Sequence, residues 1–511
     1  MRGKAVQTKI RNNIIYIKMY KTHFNKHIAR LAFAMLIGTT ALTSCDDYLD
    51  VRPKGEKLED DQFKTSEGIE ATIYGVYGSM QSTSLYGKDL YWGLTDIMSQ
   101  DLNQNKELEG SVALSKYQYT TDNNLRSRLS NVWTVAYQTI GYANNVLKNL
   151  DKKSKDDFPL LDLYKGEMLA VRAYLHFDLL RLFCSTDPTK KGIPYTTTYE
   201  AKINDFKKVG EVYDLIIKDL QDAEQLLAEE KDAIVYPRNN EQYFKFQNYR
   251  ETHCNYYAVL GILAKVYWMK GDMDNAAKYA QMVIDSNKFP LAEPTEVQDL
   301  FAGKLSDKET LWGLYSTSYI QTCQNYLYQY QSYQSYNPYT DASGATHPMP
   351  YDKVYSQDVD ATVQDYRLQW FDKGNQTVNL HKVIDYYTIS ARGNEPDNWS
   401  KRIDGINMLH VSELYLIAAE ALLDKDYSKA LSYYEAETAS RGIPALRANQ
   451  VLTKDMIFNE YHKEMFGEGQ VWYNMKRLNK DIESNVELRT IPASEDIYVL
   501  PIPQDEYNYR N

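Results

Sequence analysis

The amino-acid sequence predicts a mostly α-helical protein, built from helical hairpins that are interrupted by long irregular loops. Apolar residues recur at helical spacing in long segments, among them about 127 to 150 and about 158 to 184. Two segments, 254–285 and 414–434, share one order of small and large apolar residues. Between them, about 290 to 400 lacks helical periodicity. These three observations favour a helical frame that carries a large looped insertion.

Residues 1–44 are predicted to be a lipoprotein signal peptide. Basic residues, Arg30 the last of them, precede an apolar run at 31–42, and the sequence Leu-Thr-Ser-Cys follows at 42–45. This order is typical of a bacterial lipobox. The run is shorter than the roughly 20 residues that span a bilayer, so it predicts export. We expect Cys45 to be the acylated N-terminus of a membrane-tethered chain, with translation starting at Met1 or Met19.

The mature chain is strongly acidic. The whole chain has 58 Lys and Arg, eight of which precede Cys45, and 69 Asp and Glu, so residues 45–511 carry a net charge of −19. Such a balance argues against nucleic acid as a partner. No second apolar run approaches 18 residues, so the sequence predicts no further membrane segment.

Three further cysteines follow Cys45, namely Cys184, Cys254 and Cys323. Three thiols cannot all pair within one chain, and a core of this size does not need a disulfide framework. We expect buried thiols, with one disulfide bridge at most.

The mature chain is expected to begin with a polar tether at 46–60. The first helix is predicted by apolar residues at helical spacing: Ile69, Ile73, Val76, Tyr77 and Met80. Residues 99–126 then lack sustained periodicity and are rich in Asn, Gln and Tyr. Irregular loops of this length in a compact domain are usually functional or disordered. We therefore treat 99–126 as a candidate binding loop.

The paired segments match the pattern of tetratricopeptide hairpins, in which small residues let two antiparallel helices touch. The first copy contains Leu260, Leu263, Ala264, Tyr267, Ala276, Ala280 and Val283. The second contains Leu414, Ile417, Ala418, Ala421, Ala430 and Tyr434. The copies lie too far apart for a tandem array, so we predict interrupted hairpins whose insertions collect on one face. Further helices are predicted at 209–229, 410–440 and 453–478, followed by an extended C-terminus.

The insertion at about 290–400 contains a local excess of tyrosine. Seven of the 25 residues at 316–340 are Tyr, about three times the frequency in the whole chain. Tyrosine rings stack on the flat C–H faces of sugars, and Asn, Gln and Asp side chains hydrogen-bond to sugar hydroxyls. A carbohydrate-binding surface is one interpretation. The other is that these rings pack the insertion's own small core.

Signatures of catalysis or metal binding are missing from the sequence: HExxH, G-x-S-x-G, a Walker loop and Cys/His metal spacing do not occur. His462 and Glu464 are interpreted as a structural or surface pair. Asp358, Asp360 and Asp365 lack the Gly and terminal Glu of a calcium loop. We therefore predict no enzyme activity, no catalytic residue, no metal ligand and no cofactor.

Six segments, in order along the chain, resemble the SusD/RagB-like family of outer-membrane glycan-binding lipoproteins. They are CDDYLDVRPKG at 45–55, Ala143-Asn144-Asn145 in the Trp133 helix, KGEMLAVRAYLHFDLLRLF at 165–183, LHVSELYLIAAEAL at 409–422, FNEYHKEMFGEGQVWYNMKRL at 458–478 and LPIPQDE at 500–506. The chain departs from the family pattern at Tyr461, Gln470 and Asn474, where similar proteins have Arg, Arg and Asp. We interpret these three positions as structural.

The resemblance implies a SusD-like fold of four tetratricopeptide-like hairpins, with 45–511 as a single domain. It also implies an outer-membrane protein that faces the cell exterior, partners a SusC-like TonB-dependent transporter and delivers glycan to it. Ligand contacts would come from the first loop and the insertion. The candidate residues are Asn103, Asn105, Tyr117, Tyr119, Tyr315, Tyr326, Tyr333 and Tyr336. The alternative is a helical-repeat scaffold that binds only protein partners or peptides.

Overall fold

The computed structural model describes residue 59, residues 61–102, 109–300, 303–328, 402–484, 487–508 and 510, and short stretches within 339–382. The signal peptide, Cys45, Asn103, Asn105, Tyr333 and Tyr336 lie outside the described residues. The chain divides into Met1–Asp61 and Gln62–Asn511, and every element below belongs to the second unit. Among the residues described, no helix is long and apolar enough to cross a membrane.

In the described part of the chain, ten helices of seven or more residues form the frame. They are α1 Ser66–Met80, α2 Asn123–Leu150, α3 Leu161–Phe183, α4 Val209–Leu226, α5 Tyr256–Lys270, α6 Met273–Ile284, α7 Val411–Leu422, α8 Tyr427–Ser440, α9 Lys454–Met465 and α10 Val471–Arg477. Short helical turns lie at Thr95–Met98, Ser111–Leu114, Tyr319–Cys323, Glu495–Tyr498 and Asp505–Asn508. The mostly helical fold class is therefore confirmed.

Each of these helices packs on the next from α1 to α8, and α7 also packs on α9. The predicted repeat pairs are the hairpins α5–α6 and α7–α8. Although the insertion separates them in sequence, α6 packs directly on α7. Gly261 shows why small residues recur here, because a Cβ at this position would lie 2.6 Å from Leu409 Cδ2. The frame is thus continuous across the insertion.

Helix α1 buries the predicted face, with Ile69, Ile73 and Met80 fully enclosed. Its N-terminus is capped by Thr65, whose side-chain oxygen accepts a hydrogen bond from the Gly68 amide. Helices α3 and α5 are instead buried on nearly all sides. The charged residues of α3 are consequently paired. Arg172 bonds to Asp219, and Arg181 bonds to Asp178 three residues before it.

Five antiparallel strand pairs are described between the helices. They are β1 Lys191–Pro194 with β2 Phe206–Lys208, β3 Thr310–Tyr315 with β8 Gly405–His410, β4 Tyr339–Thr340 with β5 Thr346–His347, β6 Phe371–Lys373 with β7 Val378–Leu380, and β9 Ile482–Ser484 with β10 Arg489–Ile491.

The pair β3–β8 closes the base of the insertion. Tyr315 lies opposite Gly405, and Thr310 lies opposite His410. Leu311 and Trp312 of β3 are fully buried, as is the whole of β8. Strand β3 therefore lies near the start of the insertion predicted at about 290–400, and β8 follows its end. The two strands pair with each other in the core. Short apolar runs do not distinguish a buried strand from a helix, which is why periodicity did not predict this pair.

Two buried arginines join the insertion and β3 to the C-terminal helices. We call this group the arginine cluster; it contains Arg367, Arg441, Glu309, Glu437, Glu460 and Glu464. Arg441 forms paired hydrogen bonds with Glu309, both 2.9 Å, and with Glu464, 3.0 and 2.7 Å. Burial raises the pKa of Glu464, but the Arg441 and Arg367 guanidiniums outweigh it and hold that pKa well below its usual value.

His462 and Glu464 both have structural partners, but they do not pair with each other as the sequence had suggested. His462 Nε2 lies 2.7 Å from Asp101 Oδ1, and Glu464 belongs to the arginine cluster. Glu309, His410 and Glu464 offer ligand atoms within 4.8 Å of one another. The Arg441 guanidinium bonds to both of these glutamates, so the two carboxylates already have a cationic partner.

Two further structural predictions concern the three cysteines after Cys45 and the three positions at which the chain departs from the family pattern. Cys184, Cys254 and Cys323 are buried free thiols. Tyr461, Gln470 and Asn474 are also buried. The Tyr461 hydroxyl donates to Glu413, and Gln470 Oε1 accepts from Arg181. These positions serve packing and internal hydrogen bonding, in agreement with their structural interpretation.

Candidate functional site

The first loop and the insertion meet around Lys88. The Lys88 Nζ atom lies 4.6 Å from the centroid of the Tyr326 ring and 3.3 Å from Asp89 Oδ1. The same Asp89 oxygen accepts a 2.6 Å hydrogen bond from Arg128. Arg128 in turn donates to the carbonyl oxygen of Glu109 at 3.3 Å. One series of contacts therefore links Tyr326 in the insertion to Glu109 in the first loop.

Lys88 is held in a partly dehydrated position. Its side chain is 12% exposed. Burial lowers the pKa of its ammonium, and Asp89 acts in the opposite direction. A cation over an aromatic face is attracted by the ring quadrupole, more strongly where water is excluded. Lys88 therefore places a partly dehydrated cation over the Tyr326 ring, which is half-buried against the core.

Among the predicted site residues that the structure describes, Tyr315 is the most exposed. It ends β3, where the preceding five residues are buried, and its side chain is 56% exposed. Its carbonyl oxygen accepts a 2.7 Å hydrogen bond from Gln81 Nε2 at the end of α1. The next amide, of Ser316, donates to the Asp404 carbonyl. A rigid backbone thus presents an exposed ring beside an amide side chain.

We call Gln81, Lys88, Tyr315 and Tyr326 the aromatic ridge. Tyr319 does not belong to it, because its ring is buried and packs edge-on against Tyr91 at 6.1 Å. The insertion therefore supports both interpretations given above: Tyr319 of the tyrosine-rich segment packs the interior, and Tyr315, directly before that segment, faces solvent. Sequence reasoning did not identify Gln81 or Lys88, since neither lies in a pattern that distinguishes it from other polar surface residues.

Tyr117 and Tyr119, which were predicted to bind ligand, are largely buried. The Tyr117 hydroxyl donates to the Met98 carbonyl at 2.8 Å, and its ring stacks on Trp472 with centroids 6.0 Å apart. The Tyr119 hydroxyl donates to the Ile497 carbonyl at 2.5 Å. Both hydroxyls are therefore engaged by backbone groups, and both rings pack toward the C-terminal segment. A ligand-binding role for them stays a prediction.

These two tyrosines do contribute to the wall of an open cleft. The cleft has a volume of about 670 Å³ and lies between the first loop, the end of α3 and the C-terminal segment. Lys190 and Ser185 on its wall both bond to Glu495, at 2.7 and 2.5 Å. Its size is that of small-ligand pockets. Among the described residues, the cleft and the aromatic ridge share no lining residue.

Comparison with known proteins gives matches in both halves of the chain. Residues 47–243 match a family model described as starch-binding and associating with the outer membrane, and residues 321–495 match the SusD family model. The SusD-like protein P2 of Formosa agariphila is 27% identical over 523 aligned residues, which cover 93% of this chain and 96% of that protein.

Solved structures show the same fold. A SusD superfamily protein from Bacteroides thetaiotaomicron superposes with a TM-score of 0.66 at 20% identity, covering 87% of this chain and 97% of that one. A laminarin-binding SusD-like protein superposes with a TM-score of 0.60 at 19% identity, covering 87% and 98%. At these identities the likeness concerns the fold, and the interrupted helical hairpins of this chain are those of the SusD fold.

Proposed function

This chain belongs to the SusD/RagB-like family of carbohydrate-binding proteins, and from that premise we propose that it is a non-catalytic cell-surface lipoprotein that binds oligosaccharide or polysaccharide. It delivers this glycan to a SusC-type TonB-dependent transporter in the outer membrane. The family model describes outer-membrane association, and a structural neighbour is named for laminarin binding. Both descriptions support a role in glycan uptake.

One observation carries the placement of the glycan site: the 56% exposed ring of Tyr315 on the rigid end of β3. A sugar ring stacks on such a face without first ordering the protein, so little conformational entropy is lost on binding. Gln81 and Lys88 place polar groups beside Tyr315 and Tyr326. The aromatic ridge therefore combines stacking surface with hydrogen-bonding groups.

The double substitution Tyr315→Ala and Tyr326→Ala is expected to weaken glycan binding about 30-fold. Each well-placed aromatic contact contributes on the order of 1 kcal/mol, and about 2 kcal/mol corresponds to that factor. The measurement is isothermal titration calorimetry with oligosaccharides of laminarin, amylopectin and xylan. Tyr142→Ala is the matched control, because Tyr142 is 38% exposed on α2 and lies outside the ridge.

If the folded double variant binds glycan with unchanged affinity, the aromatic ridge is not part of the glycan site. Asn103, Asn105, Tyr333 and Tyr336 stay proposals, and a Tyr326/Tyr333/Tyr336→Ala variant tests the tyrosines in the same assay. If wild type binds no glycan but co-purifies with the transporter, the alternative of a protein-binding scaffold is favoured. Release of soluble sugar from any of the three polysaccharides would instead indicate an enzyme.

We also propose that acyl chains on Cys45 anchor the protein in the outer leaflet. Cys45→Ala is expected to abolish palmitate labelling and surface exposure together, since export and anchoring would share one signal. Radiolabelled palmitate and protease accessibility on intact cells provide the two readouts. Cys184→Ala, at a buried thiol, should leave both unchanged. If the Cys45→Ala protein stays exposed on the cell surface without palmitate label, acylation is not required for its localisation.

A further inference from the structure

The loop between α4 and α5 presents a second group of exposed aromatic rings, far along the chain from the predicted binding segments. Tyr243 is 91% exposed, Tyr249 is 51% exposed, and Phe244 and Tyr236 are each more than one-third exposed. The Tyr243 and Phe244 rings meet edge-to-face, with centroids 4.9 Å apart. We call these four residues the aromatic platform. Single exposed rings are common on protein surfaces, whereas several exposed rings within one short segment indicate an interaction site.

Amide side chains accompany the platform. Residues 236–249 read YPRNNEQYFKFQNY and contain Asn239, Asn240, Gln242, Gln247 and Asn248. The charges in this segment are interspersed, with Glu241 and Lys245 on either side of Tyr243. Aromatic faces with neighbouring amides suit a neutral, hydroxyl-rich ligand. Tyrosine and phenylalanine are also common in protein interfaces, but the cores of those interfaces are depleted in charged residues, so the charges and the five amides of this segment favour the hydroxyl-rich ligand.

The frame holds this loop at two points. Phe246 is buried, and its ring lies 5.0 Å from that of Tyr164 on α3 and 4.6 Å from that of His253. Arg238 donates 3.1 Å hydrogen bonds from Nη1 to the carbonyl oxygens of Val235 and Lys288. A loop fixed in this way loses little conformational entropy when it binds.

Hydrogen bonds within the loop orient the exposed rings. The Tyr249 amide donates to Asn240 Oδ1 at 2.7 Å, and the Gln242 amide donates to Asn248 Oδ1 at 2.8 Å. Tyr249 has φ of 52°, in the left-handed region that glycine and asparagine adopt more readily. The loop therefore keeps a bulky aromatic residue at a position that disfavours it, and the ring is left half in solvent.

We propose that the aromatic platform is a second carbohydrate-contact surface that takes a neutral polysaccharide chain. The inference rests on the proposed function, which supplies glycan binding at the ridge. A polymer held at two surfaces dissociates more slowly than one held at either alone, because the second contact forms at high effective concentration. The platform therefore contributes to retention of long chains and little to the binding of short oligosaccharides at the ridge.

The test is affinity electrophoresis in gels that contain laminarin, amylopectin or xylan. The platform variant is Tyr243→Ala with Tyr249→Asn, because asparagine tolerates the backbone conformation of residue 249 while removing the ring. Circular dichroism and Tm establish that the variant is folded. We expect its retention by the polysaccharide that retards wild type to weaken about tenfold. Tyr199→Ala, at a 42% exposed tyrosine in another loop, should change nothing.

The ridge variant Tyr315→Ala with Tyr326→Ala is run beside it. Weaker retention of the ridge variant alone would overturn the platform proposal and leave the proposed function standing. If only the platform variant is retained more weakly, the platform binds the polysaccharide and the ridge is not part of the glycan site. If the platform variant is retained normally but no longer co-purifies with the transporter, the platform is a protein-docking surface and the inference is overturned. Failure of all three polysaccharides to retard wild type would overturn both proposals.

Discussion

Replacing Arg441 with leucine is expected to destabilise the protein by about 3–5 kcal/mol, because it leaves Glu309 and Glu464 buried without their cation. Arg441 makes paired hydrogen bonds with both carboxylates, and all three side chains are inaccessible to solvent. Glu309 directly precedes β3, so the same substitution should loosen the strand that presents Tyr315. Urea unfolding followed by circular dichroism measures the loss.

Arg447→Leu is the matched control, since Arg447 lies on the exposed segment after α8 and should change stability by less than about 0.5 kcal/mol. A triple variant that adds Glu309→Gln and Glu464→Gln to Arg441→Leu should recover part of the loss, because it removes the uncompensated charges. An Arg441→Leu protein that is less than about 1 kcal/mol destabilised would contradict the role given to the arginine cluster.

Lys476→Met is expected to stabilise the protein at pH 6 and to lose that advantage by pH 9. Lys476 lies on α10, is 4% exposed, and donates a 2.5 Å hydrogen bond from Nζ to the Arg181 carbonyl. Burial and the nearby Arg181 lower the pKa of its ammonium to about 7, although Cys184 and Glu495 act in the opposite direction. The unfolded chain has the ordinary lysine pKa of about 10.4.

The sign of the pH dependence follows from this difference. Between pH 7 and pH 10 the unfolded state binds more protons than the folded state, so stability rises with pH across that window. Below pH 7 both states are protonated, and the buried charge lowers the free energy of unfolding by roughly 4 kcal/mol. Methionine carries no charge, although it leaves the Arg181 carbonyl without this donor, which offsets roughly 1–2 kcal/mol of the gain.

Urea unfolding of wild type and Lys476→Met at pH 6, 7.5 and 9 isolates this residue, because all other titrating groups are shared. Lys480→Met, at a more exposed lysine of the same region, is the matched control for the loss of one lysine charge. A Lys476→Met advantage that is constant from pH 6 to pH 9 would contradict a buried amine that changes protonation in this window.

Helix prediction succeeded for helices with one buried face and also for α3 and α5, which are buried on nearly all sides. The spacing of Ile69, Ile73 and Met80 predicted α1, and these residues are fully buried. The strands β3 and β8 escaped prediction because both are short and apolar, and pairing between residues 310–315 and 405–410 leaves no local periodicity. Fold assignment nevertheless held, because the helical frame contains most of the repeated apolar pattern.

Amino-acid composition predicted the binding segments, but it did not predict which tyrosines within them are exposed. Tyr315 and Tyr117 both lie in segments that favour a binding loop, yet Tyr315 is exposed and Tyr117 is buried against Trp472. Tyr243 lies outside both segments and is the most exposed of the large hydrophobic side chains described. The immediate neighbours do not predict exposure, since the buried Tyr117 lies between Lys116 and Gln118 whereas the exposed Tyr315 follows Leu314.

The helical frame and the family resemblance could be predicted from the sequence, because apolar periodicity and ordered motifs are local properties of the chain. Which tyrosines face solvent depends instead on tertiary contacts. The ring of Tyr117 is covered by Trp472 of α10, whereas Tyr315 lies beyond the last buried residue of β3. Exposure is decided by residues that are distant in sequence and adjacent in space, and a single sequence carries no local signal for such contacts.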